Sequence, residues 1–153
     1  MRAAVIAALL PLVVSIPLKA QNSCQLVGVW ELVSGKADTA SYPANFHQWK
    51  IITRTHWAFV ARTDSAVREL KTAADSLQMF RTTGAGSGTY TLQGTTYTEH
   101  IQFMSDPAYL GMSIPFTCRT EGDRFIQTGT FPELQGGKTV HTWRLEEVYR
   151  RIE

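Results

Sequence analysis

Between residues 84 and 103, GAGSGTYTLQGTTYTEHIQF, apolar and hydroxyl-bearing positions alternate with a period of two, the spacing of a half-buried β-strand. A tight turn at Gln93 and Gly94 folds the stretch into a hairpin. It pairs Leu92 with Thr95 and Tyr90 with Tyr97. One face then carries Tyr90, Leu92, Tyr97, Glu99, Ile101 and Phe103. The other carries Thr89, Thr91, Thr96, Thr98, His100 and Gln102. The apolar face is expected to look into a core. Glu99 is the exception on it, a carboxylate among rings.

The same period recurs along most of the chain. In LVGVWELVSG (26 to 35) Gly28, Trp30 and Leu32 share a face. HQWKIIT and THWAFVAR read as two strands around residues 53 to 55, with Trp49, Ile51, Trp57 and Phe59 on one parity and His56, Ala58 and Val60 on the other. Residues 64 to 79 break the pattern. There Val67, Leu70, Ala74 and Leu77 fall at helical spacing behind Asp64 or Ser65 as N-cap. This spacing predicts one short helix that plugs an end of the core. Gly84, Gly86 and Gly88 follow at alternate positions, which suits a sharp bend rather than a phosphate loop, because no helix follows them. MSIPFTCR is a strand whose Pro115 belongs at an edge, an end or a bulge. RFIQTGTF places Phe125, Gln127 and Phe131 together. TVHTWRLEEVY places His141, Trp143, Leu145 and Tyr149 together, and Arg150, Arg151 and Glu153 form a charged tail. About eight to ten strands joined by short connections predict an all-β, antiparallel, up-and-down barrel with one short helix. Closing such a sheet on itself buries its apolar face and removes its edges.

Composition alters the picture at the N-terminus. MRAAVIAALLPLVVSIPLKA has a basic start, an apolar run broken by Pro11 and Pro17, and a small residue at Ala20. It reads as a signal peptide (1–20) cleaved near Ala20, which leaves 21–153 as a single secreted or periplasmic domain. The run is short for a stable span of about 20 residues. The formal charge of +2 comes from this segment. Removing Arg2 and Lys19 from the 15 Lys and Arg leaves 13, equal to the 13 Asp and Glu. A neutral domain with no basic stripe argues against nucleic-acid binding. Its two cysteines, Cys24 and Cys118, are candidates for one disulfide in an oxidising compartment. Two free thiols and lipidation of Cys24 are the alternatives. Neither CxxC nor paired ligand spacing is present, so no metal or other cofactor is expected. Oligomeric state is not readable.

With Gly28-Val29-Trp30 in the first strand, Trp143-Arg144 in the last, and KIITRTHWAFV and GSGTYTLQGTTYTEHIQF between them, the chain resembles the bacterial lipocalin-like domain proteins of the calycin superfamily over residues 26 to 149. The resemblance implies an up-and-down barrel that binds a small, mostly apolar molecule inside. It also implies structural roles for Gly28, Trp30 and Arg144, with the arginine packed on the opening tryptophan.

Among chemical candidates Glu99 is the sharpest, because an ionised carboxylate on an apolar face needs a partner. His56, Arg144, Tyr90, Tyr97 and Gln127 are the partners on offer. The leading expectation is a ligand whose polar end meets Glu99, His56, Tyr90 and Tyr97, with Trp57 and Phe59 along its apolar body and Gln127 and His141 nearby. A second is a barrel enzyme, an isomerase, cyclase or hydrolase, using Glu99 and His56 as acid and base. A third is a structural or interaction domain with a filled core.

Overall fold

The computed structural model describes residues 24–64 and 69–153. The expected leader lies outside the described residues, as do Ser65 and Val67. Among the described residues nine strands and one α-helix follow in the order β1 (Gly28–Ala37), β2 (Ala40–Ser41), β3 (Phe46–Ile52), β4 (His56–Thr63), α1 (Ala73–Thr82), β5 (Thr83–Gln93), β6 (Thr96–Met104), β7 (Ser113–Glu121), β8 (Arg124–Gln135) and β9 (Lys138–Arg151). Apart from the two-residue β2, each strand pairs antiparallel with the next, and β9 returns to β1. β1 and β3 to β9 thus close an eight-stranded up-and-down barrel, while β2 only extends β1.

One end is sealed by the G-x-W stretch. Trp30 is fully buried, its indole donates to the Leu26 carbonyl at 2.7 Å, and its ring packs 5.4 Å from Phe125. Gly28 sits at φ +151, and a Cβ there would strike the Arg151 guanidinium and the Glu153 carbonyl. Only glycine fits both constraints. The arginine on Trp30 is Arg151, 4.1 Å from the ring, and it also donates to the Val27 and Gln25 carbonyls. This corrects the expectation for Arg144. The last strand runs on through the supposed tail to Arg151, which pairs with Trp30, whereas Arg144 pairs with Thr130 nearer the other end. A disulfide joins Cys24 to Cys118, with Cα atoms 6.0 Å apart, and ties the N-terminal segment to β7.

The central hairpin keeps its faces but not its register. Leu92 pairs with Tyr97 and Tyr90 with Glu99, so the turn residues are Gly94 and Thr95. Farther along, Gly88 pairs with Ile101 but Ser87 pairs with Phe103, leaving Gln102 as an extra residue. This bulge inverts the parity. Phe103, expected inside, is 69 % exposed, and Met104 packs on the core instead.

Two further expectations are overturned. In β3, Trp49 and Ile51 face outward and Gln48, Lys50 and Ile52 face in. The closing pair of the β3–β4 hairpin is Ile52 with Trp57, so even-numbered residues of β3 share a face with odd-numbered residues of β4. The helix begins at Ala73, not near 64, because Thr72 and Asp75 form a reciprocal capping box. It buries none of its residues, so it is no plug. Pro115 lies on β7 just before β8 begins to pair, at Phe116, where a missing N–H breaks no ladder bond to β8.

Candidate functional site

The inner face of β8 and β9 is a ladder of cross-strand pairs: Phe125 with Tyr149, Gln127 with Glu147, Gly129 with Leu145, Phe131 with Trp143, and Glu133 with His141. The first rungs are buried and the later ones half-buried or exposed. The barrel is therefore packed at the Trp30 end and opens toward the other. Between the two halves lies a polar layer.

Lys50 is its centre. Its ammonium, 3 % exposed, donates to Glu99 Oε1 at 2.7 Å and to Gln127 Oε1 at 2.8 Å. Four rings surround it, with centroids 5.6 Å (Tyr149), 5.8 Å (Tyr97) and 5.9 Å (Trp57 and Phe116) from Nζ. Ring faces are negative, so they partly replace the water that the cation has lost. Gln127 passes the polarity on: its amide nitrogen donates to Glu147 Oε2 at 3.3 Å. Glu147 also accepts from the hydroxyls of Tyr149 at 2.7 Å and Tyr42 at 3.1 Å. Gln48 donates to the Tyr149 oxygen at 2.6 Å.

Burial, and then the charge of Glu147, push the Tyr149 and Tyr42 phenols far up, so both stay neutral donors. Tyr97 is raised by burial first and by Glu99 second. Its hydroxyl is buried beside the Glu99 carboxylate and makes no well-formed hydrogen bond. Glu99 takes Lys50 on one oxygen, and the Tyr97 hydroxyl lies beside the carboxylate. A buried hydroxyl without a well-formed hydrogen bond is uncommon, because each lost bond costs about 1–3 kcal/mol.

Above the layer Phe59, Met104, Tyr109, Met112, Phe131 and Leu145 form half-buried apolar walls. Several inner glycines are covered by side chains. Tyr42 lies over Gly35, Phe59 and Met104 over Gly86, and Phe116 over Gly129, each where a Cβ would collide. A separate open trough of about 780 Å³ runs over the outer wall, lined in part by Glu31, Trp49, Val60 and Ala85. These four form one outward cross-strand row. His47 and Arg62, both on Asp64 at 2.9 and 3.2 Å, stand beside it.

The expected site residues fall into two groups. Glu99, Gln127, Tyr97 and Trp57 meet in or against the polar layer, and Phe59 stacks beside Trp57 at 6.2 Å. Tyr90 lies at the sealed end, where its hydroxyl donates to the Thr53 carbonyl. His56 is exposed on the outer face and bonds Thr55 Oγ1 at 2.8 Å. It and Glu99 are on opposite sides of the wall. His141 sits at the open rim, bonded to Asp38 at 3.0 Å. Arg144 holds Asp38 through its backbone N–H and has no part in the layer.

The sequence reasoning missed Lys50, Gln48, Glu147 and Tyr42. For Lys50 and Gln48 the signal was the length of the loop after β3, which sets the parity. The bulk of Trp49 and Ile51 pointed the other way. For Glu147 it was the alternation of β9 carried back from Tyr149. Tyr42 comes from a connection and gave no periodic signal. Among the described residues no three His, Cys, Asp or Glu side chains stand together as a metal site requires, and no helix is long and apolar enough to cross a membrane. No protein-family model matches the chain, and no curated protein matches it.

Proposed function

We propose that the protein is exported and binds a small amphipathic molecule in the open half of a lipocalin-like barrel. The ligand's apolar body lies along Phe59, Phe131 and Leu145, and its polar end rests on the layer around Lys50. The observation that carries this is the layer itself, two carboxylates, an ammonium and a buried phenol without a well-formed hydrogen bond, lying beneath half-buried apolar walls. A stable filled core has no use for it, since well-packed apolar residues in place of a buried ion pair are often neutral or stabilising. Export is supported by the disulfide, which persists in oxidising compartments.

The test is displacement of an apolar fluorescent probe from the oxidised mature protein, with native mass spectrometry of the purified material. Wild type is expected to bind one probe, and Leu145→Trp, which adds bulk to the open half, to lose it with the fold intact. Binding unchanged in Leu145→Trp, or absent in wild type, counts against the proposal. The rings seated over Gly35, Gly86 and Gly129 favour a second reading, a filled barrel serving as an interaction domain. Absence of probe binding by wild type is its expected outcome. An acid–base enzyme using Glu99 and His56 gains no support, because the wall stands between them.

A further inference from the structure

The inward-facing charged groups of the polar layer do not balance. Lys50 supplies one ammonium, and Glu99 and Glu147 supply two carboxylates. Both oxygens of Glu147 act as acceptors, from two phenols and one amide, which is the pattern of an ionised carboxylate. Higher up the same inner face, Glu133 stands opposite His141, and among the described residues no second Lys or Arg side chain takes part in the layer. The layer therefore carries one negative charge in excess inside a wall of rings. Beside the Glu99 carboxylate lies the buried Tyr97 hydroxyl, a neutral phenol that adds no charge to this balance.

Resting on the binding function proposed above, we infer that the ligand is cationic, an apolar body bearing a protonated amine or similar head group that docks against Glu99 and Glu147. Such a head group neutralises the excess charge and finds ring faces suited to a cation. An anionic head group meets two carboxylates against one ammonium, and is repelled.

Three probes with one tail and different heads test this: octylammonium, octanol and octanoate. Each is titrated into the oxidised mature protein at neutral pH and physiological salt, which screens surface charges. The expected order is ammonium, alcohol, carboxylate, with the ammonium at least about tenfold tighter than the alcohol, roughly 1.4 kcal/mol. Glu147→Gln, and independently Glu99→Gln, is expected to bring ammonium and alcohol within about twofold while alcohol binding persists. Circular dichroism of each variant confirms its fold, and the wild-type order decides the matter by itself if neither variant folds. Octanoate equal to or tighter than octylammonium, or no difference among the three, overturns the cation inference and leaves the binding site standing. No binding of any of the three overturns both.

Discussion

Lys50 shows how much one side chain can decide. Its ammonium is almost wholly removed from water, and only Glu99, Gln127 and the encircling rings compensate. Truncation leaves Glu99 buried and unpaired, so Lys50→Met is expected to cost about 3–5 kcal/mol in urea unfolding. Lys50→Met with Glu99→Leu removes both charges and is expected to recover most of that loss. A double variant no more stable than Lys50→Met alone would show that the pair is not the coupled unit described. Gly28 is equally specific. Gly28→Ala meets a positive φ and an occupied space together, and is expected to lower the unfolding midpoint. The same scale explains what was legible beforehand. Glu99 stood out because it interrupts an apolar face, and Trp30 and Gly28 because they resemble the G-x-W opening of lipocalins. Lys50 did not stand out, since a lysine between tryptophan and isoleucine reads as the wet side of a strand until the pairing of Ile52 with Trp57 is known.

Elements differ in what holds them. The strands are fixed by closure, and the disulfide pins the segment before β1 to β7 across 94 residues of chain. Loop-closure entropy for such a span corresponds to about 4–5 kcal/mol. Reduction, or Cys118→Ser, is expected to lower stability by about 2–5 kcal/mol in denaturant titration. A change under 1 kcal/mol would mean that the pairing is absent or idle. Helix α1 is held by its own cap instead. Leu77 and Phe80 remain 49 % and 60 % exposed, and nothing in the helix is buried. Thr72→Ala removes the cap and is expected to abolish amide-exchange protection in 73–82 while leaving the global unfolding midpoint within error. A large global shift would show that the helix packs on the barrel after all. Here the sequence misled for a physical reason: Val67, Leu70, Ala74 and Leu77 keep helical spacing, but the capping box at Thr72 and Asp75 competes for the start. Strand number and order were legible because alternation survives in every strand. Register was not, because it turns on single residues: the hairpins close at Gln93 with Thr96 and at Ile52 with Trp57, and a bulge at Gln102 inverts the end of β6.

At the scale of the whole molecule the buried phenols set an alkaline limit. All five tyrosines are raised above their ordinary value, Tyr97 and Tyr149 furthest with Tyr42, by burial first. A phenol held neutral in the folded state and free to ionise in the unfolded state stabilises the fold fully below about pH 10 and progressively less above it. Stability is therefore expected to fall above that pH, with phenolate absorbance rising in one cooperative step together with the loss of β-sheet signal. Gradual ionisation near pH 10 with the fold intact would contradict the burial described here. The fold as a whole was readable from period and punctuation. The layer at its centre was only partly so, since its members come from β3, β6, β8, β9 and one loop, and only closure of the barrel brings them together.

The central claim is that the open half of this barrel is a ligand site floored by the Lys50 layer. Calorimetric titration of octylammonium into the oxidised mature protein at several temperatures tests it most directly. The account predicts a single saturable site with a negative heat-capacity change, the mark of apolar surface leaving water, and its loss in Leu145→Trp. No saturable heat, or identical heats from wild type and Leu145→Trp, would contradict it.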